Sequence, residues 1–473
     1  MRPGLLIALA SYFAIVLVIG LTARRRMKGF EDFFLASRRL PGTLVALSLT
    51  ASWFGAASIL VSTDDAFRTG LGALWLVGLP AVASILILFA LAGPLRRLPA
   101  LSLPELAGMR YGRVVRSIAS GLLIWYMILL AASQMVAMGR FLGVFMKRPY
   151  LECLALGTAV VLIYSLAGGL RSVVATDIIQ CALLAVGLSG LVVFLAGKAG
   201  GSSAVLGAIT GGPGLLAGFP QSGLIFLSFT LAWTISPIAH QRIQAARSGT
   251  AARGGLAASA AALAVLYVLV VLIGGLARPL FGGRVPEGSL FPAMIADKLG
   301  PWLGSLLFAA VLAAVMSTLD TALNAGGLAI ARDVFGRKAA ERPERGALAS
   351  RAALILAAAA AFAVATRFQS ILKTIGLASE ILAEGFFVPG LAMILSVRRR
   401  PWAGLLSLGL GGGFAVLSFL STSGVLPLPI PAWPFSLPYG LGLSLAGFAF
   451  GSALDQRARA IGGQTHGLCS PKR

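Results

Sequence analysis

Between Val311 and Gly327 the chain reads VLAAVMSTLDTALNAGG, and Ser317, Thr318, Asp320 and Thr321 place four oxygen-bearing side chains inside an otherwise apolar helical stretch. Ser317 and Thr321 stand i, i+4 and share a helical face, with Asp320 beside them. Hydroxyls and a carboxylate at the depth of a buried or membrane helix are costly unless partnered, and a dehydrated cation is a partner that oxygens satisfy well. The stretch is therefore a candidate ion site. A second reading stays open, in which the Ser and Thr hydroxyls bond to carbonyls one turn earlier or to a neighbouring helix.

Three other stretches bring polar groups to the middle of apolar segments. In SLTASWFGAAS, short side chains surround Gly55, so a helix there can break and release backbone carbonyls. In WTISPIAHQR, Pro237 removes a helical hydrogen bond next to Trp233 and Ser236, while His240 and Arg242 fall at the segment's inner end, His240 as an interfacial residue. In GGLRSVVATDIIQ, Asp177 and Gln180 share a face near the start of a span; Thr176 or Asp177 would cap that helix, or Asp177 would receive a cation leaving Ser317. Glu380 and Glu384, i, i+4, form a further acidic pair, expected near a vestibule or paired, with no assigned role.

These residues need a scaffold, and composition says which kind. Hydrophobic residues make up 58% and charged residues 12% of the 473, with a mean hydropathy of +0.90, far outside the soluble globular range. Apolar runs of spanning length fall at 4–22, 41–63, 71–92, 117–139, 150–168, 175–197, 222–240, 254–276, 300–331, 347–366, 371–397, 402–421 and 436–454, thirteen in all. Arg24 to Arg26 follow the first run, the reverse of a signal peptide, which places the N-terminus outside and the C-terminus in the cytoplasm. Well over half of the 39 Lys and Arg then face inward, so the net charge of +23 marks topology against a lipid bilayer, not nucleic acid. Three Cys and two His supply no disulfide framework, haem or zinc site. No nucleophile–base pair stands out, so an enzyme is not expected. Residues 1–473 read as one membrane domain, with a Gly-rich, mobile segment at 198–221 and an extended proline-rich connector at 426–438.

Five stretches together, FEDFFLASRRLPG, SLPELAGMRYG, GGLRSVVATDIIQ, HQRIQAARS and LAAVMSTLDTALNA, resemble the sodium/solute symporter family in order and spacing. The resemblance implies an all-α, leucine-transporter-like core of two inverted five-helix repeats, here 41–197 and 222–397, with one extra helix before it and two after it at 402–454. It implies a transported, coupling sodium held by the carbonyls of Ala51, Phe54 and Ala314 and the hydroxyls of Ser317 and Thr318. Members with a second sodium use hydroxyls one turn further on and an aspartate opposite. Those positions here are Asp320, Thr321 and Asp177, and Asp320 departs from the hydroxyl pattern. The solute pocket would be lined by Trp53, Gly55, Trp233 and Ser236. Proline carriers of the family have an aspartate where this chain has Trp53, which argues against proline. The expected function is sodium-driven uptake of a small organic solute by alternating access in the cell membrane. Proton coupling through Asp177 or Asp320, and a non-transporting solute sensor, are the rivals. Solute, stoichiometry and oligomeric state stay open.

Overall fold

The computed structural model describes all residues except 1, 24–29, 99, 101, 211–213, 287, 336–342 and 468–473. Among the described residues every element is helical, and Leu40 and Ala246 form one isolated parallel bridge. In order the α-helices are α1 (Pro3–Ala23), α2 (Phe30–Leu35), α3 (Gly42–Trp53), α4 (Ser62–Thr69), α5 (Gly78–Arg97), α6 (Leu103–Tyr111), α7 (Arg113–Met146), α8 (Tyr150–Ala199), α9 (Ser202–Thr210) and α10 (Phe219–Thr234). They continue with α11 (Pro237–Ala245), α12 (Gly249–Ala277), α13 (Leu290–Ala293), α14 (Pro301–Ala329), α15 (Pro343–Arg367), α16 (Ile371–Glu380), α17 (Phe387–Leu395), α18 (Pro401–Thr422) and α19 (Leu437–Gly467). Eleven helical stretches among the described residues are long and apolar enough to cross a membrane.

Two spans are interrupted, each for a local reason. α3 stops at Trp53, where Phe54 leaves helical geometry (φ −95°, ψ 67°) while its N–H still reaches the Thr50 carbonyl. Helix resumes through a wide turn at Ala57–Val61 into α4. The second break separates α10 from α11: Ser236 is extended (φ −62°, ψ 128°) because it precedes Pro237, which opens α11. A wide helical turn of the same kind, Ile381–Phe386, joins α16 to α17.

Three expectations change. Residues 150–199 form α8 as two helical arms joined at a single residue, Gly169, instead of two spans separated by a loop of several residues. The chain turns sharply at the joint: the Ser172 hydroxyl reaches the Tyr164 carbonyl, eight residues earlier, at 3.2 Å. It bends at Gly169 (φ 54°, ψ −143°), where a Cβ would lie 2.4 Å from the Phe33 carbonyl oxygen, so only glycine fits. Thr176 and Asp177 therefore sit inside a helix and cap nothing; the Thr176 hydroxyl bonds back to Ser172 and Val173 carbonyls. The segment after α8 contains helix α9, so it is structured over 202–210.

The core is the middle of the bundle. α14 is buried almost throughout from Leu307 to Ala329, and α3, α7, α8 and α11 pack on it. One end is clasped shut: Leu40 N–H donates to the Ala245 carbonyl (3.0 Å) and Arg247 N–H to the Leu40 carbonyl (2.8 Å). Arg96 Nε donates to the Ala246 carbonyl (3.0 Å), and Arg171 Nε pairs with Asp32 (2.6 Å). Toward the other end lies a recess of about 1,120 Å³ lined by Asp64, Arg140, Phe141 and Gln369 among others.

Candidate functional site

The break in α3 lies directly against α14. Ser317 Oγ donates to the Ala51 carbonyl (2.8 Å) and also reaches the Ala314 carbonyl (3.0 Å), while Thr318 Oγ1 reaches the Ala314 carbonyl at 3.3 Å. The neighbouring residue, Gly55, comes so close that a Cβ there would lie 2.5 Å from Thr318 Oγ1 and 2.8 Å from Gln134 Oε1. Ala51, Ala314, Ser317 and Thr318 thus form one group of neutral oxygens, and Phe54 stands beside them at the break. Hydroxyl protons rotate and a carbonyl has a second lone pair, so this set can turn oxygens toward a small hard cation. The back-bonding reading of Ser317 and Thr318 is realised as well, with the added bond from Ser317 across to α3.

A cavity with an empty volume of about 430 Å³ opens beside this group. Trp53, Gly55, Trp233 and Ser236 all line it, together with Tyr126 and Gln134, and Thr318 is part of its wall. The indole rings of Trp53 and Trp233 are 5.9 Å apart, and Phe229 stacks on Trp233 at 4.7 Å with a 7° interplanar angle. Gln134 Oε1 accepts from the freed N–H of Ala56 (2.9 Å), which ties α7 to the helix break. No Asp, Glu, Lys, Arg or His lines this cavity.

Asp177, Asp320 and Thr321 lie in a separate, fully buried polar cluster organised around Arg242. Arg242 is not at an inner end facing water; its side chain is wholly buried, as is the His240 side chain to within 4%. The guanidinium Nη2 lies 3.8 Å from Asp177 Oδ2 and donates to Thr321 Oγ1 (2.8 Å) and Ser52 Oγ (3.3 Å). Its Nε donates to Ser48 Oγ (3.0 Å) and its Nη1 to Gln241 Oε1 (3.0 Å). Ser48 in turn donates to Asp177 (2.5 Å). Asp320 accepts from the Tyr164 hydroxyl (2.6 Å). A resident cation therefore already stands beside the positions considered for a second sodium or an exit path. Sequence reasoning missed Arg242, Ser48, Tyr164 and Gln241. The available signal was the unbroken helical register from Pro237 to Arg242, which carries the arginine inward.

A membrane bundle with an aromatic cavity at the crossing of two interrupted spans, bordered by an oxygen cluster on a buried helix, has the architecture of the leucine-transporter-like carriers. The chain belongs to the sodium:solute symporter family, whose profile matches residues 33–399. It is 26% identical over 476 residues to the osmoregulated proline transporter of Bacillus subtilis, covering 94% of this chain and 95% of that one. It is 27% identical over 356 residues to the sodium/pantothenate symporter of Escherichia coli (71% and 73%). The fold superposes on a Na+-coupled sialic acid symporter in a substrate-bound outward-open state with a TM-score of 0.80 at 20% identity, covering 95% and 97% of the two chains. The chain is thus an integral membrane protein of a family of sodium-coupled solute carriers.

Proposed function

We propose that this protein moves one small organic solute across the cell membrane together with sodium, which binds at Ala51, Phe54, Ala314, Ser317 and Thr318. The observation that carries this is the shared wall: Thr318 belongs both to the oxygen cluster and to the solute cavity, and Gly55, which lines the cavity, lies directly against it. A cation that fixes Thr318 and the α3 break also fixes the pocket, and the coupling is reciprocal. The fold supports a reading of thirteen spans, with α8 counted as two and the broken α3–α4 segment counted apart from α5, arranged as repeats over 41–197 and 222–397 plus 402–454, N-terminus outside. Alternating access follows from that layout.

The solute is neutral or internally charge-compensated. The cavity wall offers two indoles, a phenol and an amide but no charged side chain, so a bare carboxylate would enter unpaired at several kcal/mol cost. Trp53 in place of an aspartate disfavours proline. Arg242 supplies the positive charge at the second position, which supports one sodium per cycle.

The test is melting of the purified protein in sodium, potassium and choline chloride, for wild type and for Ser317→Ala with Thr318→Ala. A ligand at a hundredfold excess over Kd stabilises by about 2.7 kcal/mol. Sodium alone is expected to raise the wild-type melting temperature and to leave the double variant unmoved. Equal melting in all three salts refutes the site, and uptake driven by a pH gradient without sodium would put proton coupling in its place. A solute panel that includes proline then uses the same shift.

A further inference from the structure

Glu380 and Glu384 are not part of the solute cavity's lining and take no part in the proposed ion site. Both are fully buried, one at the end of α16 and the other in the wide turn that follows it. They face the hairpin of α18 and α19. Glu380 Oε1 accepts from the Ser418 hydroxyl (3.1 Å) and from the Ser436 hydroxyl. Glu384 is pressed against α19: a Cβ on Gly440 would lie 2.2 Å from Glu384 Oε2. Ser436 also lies against Glu384, but it has a single proton to give and gives it to Glu380. Glu380 Oε2, Glu384 Oε1 and Glu384 Oε2 are buried with no hydrogen-bond partner.

Among the described residues no positive charge compensates the pair. Among the described residues neither carboxyl is in an ion pair. α18 carries no ionisable side chain, nor do α10 and α17. On α19, Tyr439 is exposed, and Asp455, fifteen residues beyond Gly440 and so about 22 Å along the helix, accepts from the N–H groups of Trp402 and Ala403. Arg457 and Arg459 lie beyond it. On α16, Lys373 sits two turns from Glu380, with its amine at the Thr422 carbonyl. On α7, Tyr126 lines the solute cavity, Arg116 pairs with Asp333, Arg140 lines the outer recess and Arg113 lies at the opposite end. Ser407 and Ser444, the nearby hydroxyl pair, bond to each other (2.9 Å).

Two bare carboxylates one turn apart in such a place are not tolerated, and neutralisation is the outcome that burial enforces. The donors decide where. Two hydroxyls donate to Glu380, among them Ser436, which also lies against Glu384 but gives its single proton to Glu380, so Glu380 is the better anion. We propose that Glu380 and Glu384 form a proton-binding site, in which Glu384 holds the proton and donates it to the unpartnered Oε2 of Glu380. One proton then satisfies orphan atoms on both side chains and seals the C-terminal hairpin onto α16. The i, i+4 spacing places the two carboxyls on one face for this bond.

The experiment is infrared spectroscopy of the full-length purified protein at neutral pH, with Glu384→Gln, Glu384→Met and Glu380→Gln beside wild type, each also melted in sodium and in choline chloride. Expected is the loss of one protonated-carboxyl band in both Glu384 variants, and melting that changes little in them because one neutral group replaces another. Three results overturn the proposal: a wild-type band unchanged by Glu384→Gln, a band lost in Glu380→Gln alone, or failure of the Glu384 variants to fold. Sodium-specific stabilisation that both Glu384 variants abolish, with no band in wild type, would make the pair an alkali-cation site instead. The infrared band depends neither on solute nor on the Ser317 site, so this proposal and the transport reading fail separately.

Discussion

Replacing Arg242 by methionine tests the buried cluster most directly. The guanidinium and Asp177 are both inaccessible to solvent and 3.8 Å apart. At an effective dielectric constant of about 20, two unit charges at that distance attract by about 4 kcal/mol. Removing one member of a buried pair typically costs about 3–5 kcal/mol because the other charge is stranded. Arg242→Met also deprives Ser48, Ser52, Thr321 and Gln241 of their donor. The expected loss is therefore about 4 kcal/mol, close to a thousandfold in the folded-to-unfolded ratio. Asp177→Asn alone strands the guanidinium and costs a similar amount, whereas the double variant strands neither and regains most of the loss. The assay is denaturant unfolding in detergent micelles, read as a double-mutant cycle. A coupling energy below about 1 kcal/mol would refute the reasoning, since losses that simply add mean that each side chain is partnered independently. Arg242→Lys is expected to fall between, because an ammonium keeps the charge and loses the fork that reaches four partners.

Three further outcomes follow from particular contacts. Gly55→Ala drives a methyl group into Thr318 Oγ1 and Gln134 Oε1, so sodium-dependent stabilisation should be lost in a protein that still elutes as a folded monodisperse species. Tyr164→Phe removes the donor to Asp320 Oδ2, whose other oxygen already lacks a partner; a loss of about 1–3 kcal/mol in the same unfolding assay is expected. Asp455→Ala uncaps α18 by freeing the N–H groups of Trp402 and Ala403, for about 0.5–2 kcal/mol, and proteolysis should then begin at the C-terminal hairpin.

What the sequence made legible was whatever depended on neighbours along the chain. The break at Gly55 follows from a run of small residues, and the break at Ser236 from the proline after it. Span positions followed hydropathy, so α14 was expected at 300–331 and runs from Pro301 to Ala329. The meeting of Ser317 with Ala51 needed the family resemblance, because two helices 266 positions apart share no local signal. What stayed hidden depended on packing between distant segments. Arg242 reads as one more inward-facing positive charge until α11 is seen running into the bundle. Glu384 looks like an ordinary acidic residue until Gly440 is laid against it. Residues 169–174 read as a loop because hydropathy falls there, while the structure turns the chain at Gly169 alone and keeps helix on both sides.

The clasp between residue 40 and residues 245–247 has a consequence for how this end of the protein tolerates change. Its two rungs are drawn from main-chain atoms, so their strength does not depend on which side chains occupy Leu40, Ala245, Ala246 or Arg247. At about 0.5–1.5 kcal/mol net for each bond, the two rungs together contribute about 1–3 kcal/mol to the seam. Positions 40 and 245–247 can change side chain without losing the two rungs, and a proline at position 40 or 247, which deletes a donor, is the substitution the seam cannot absorb.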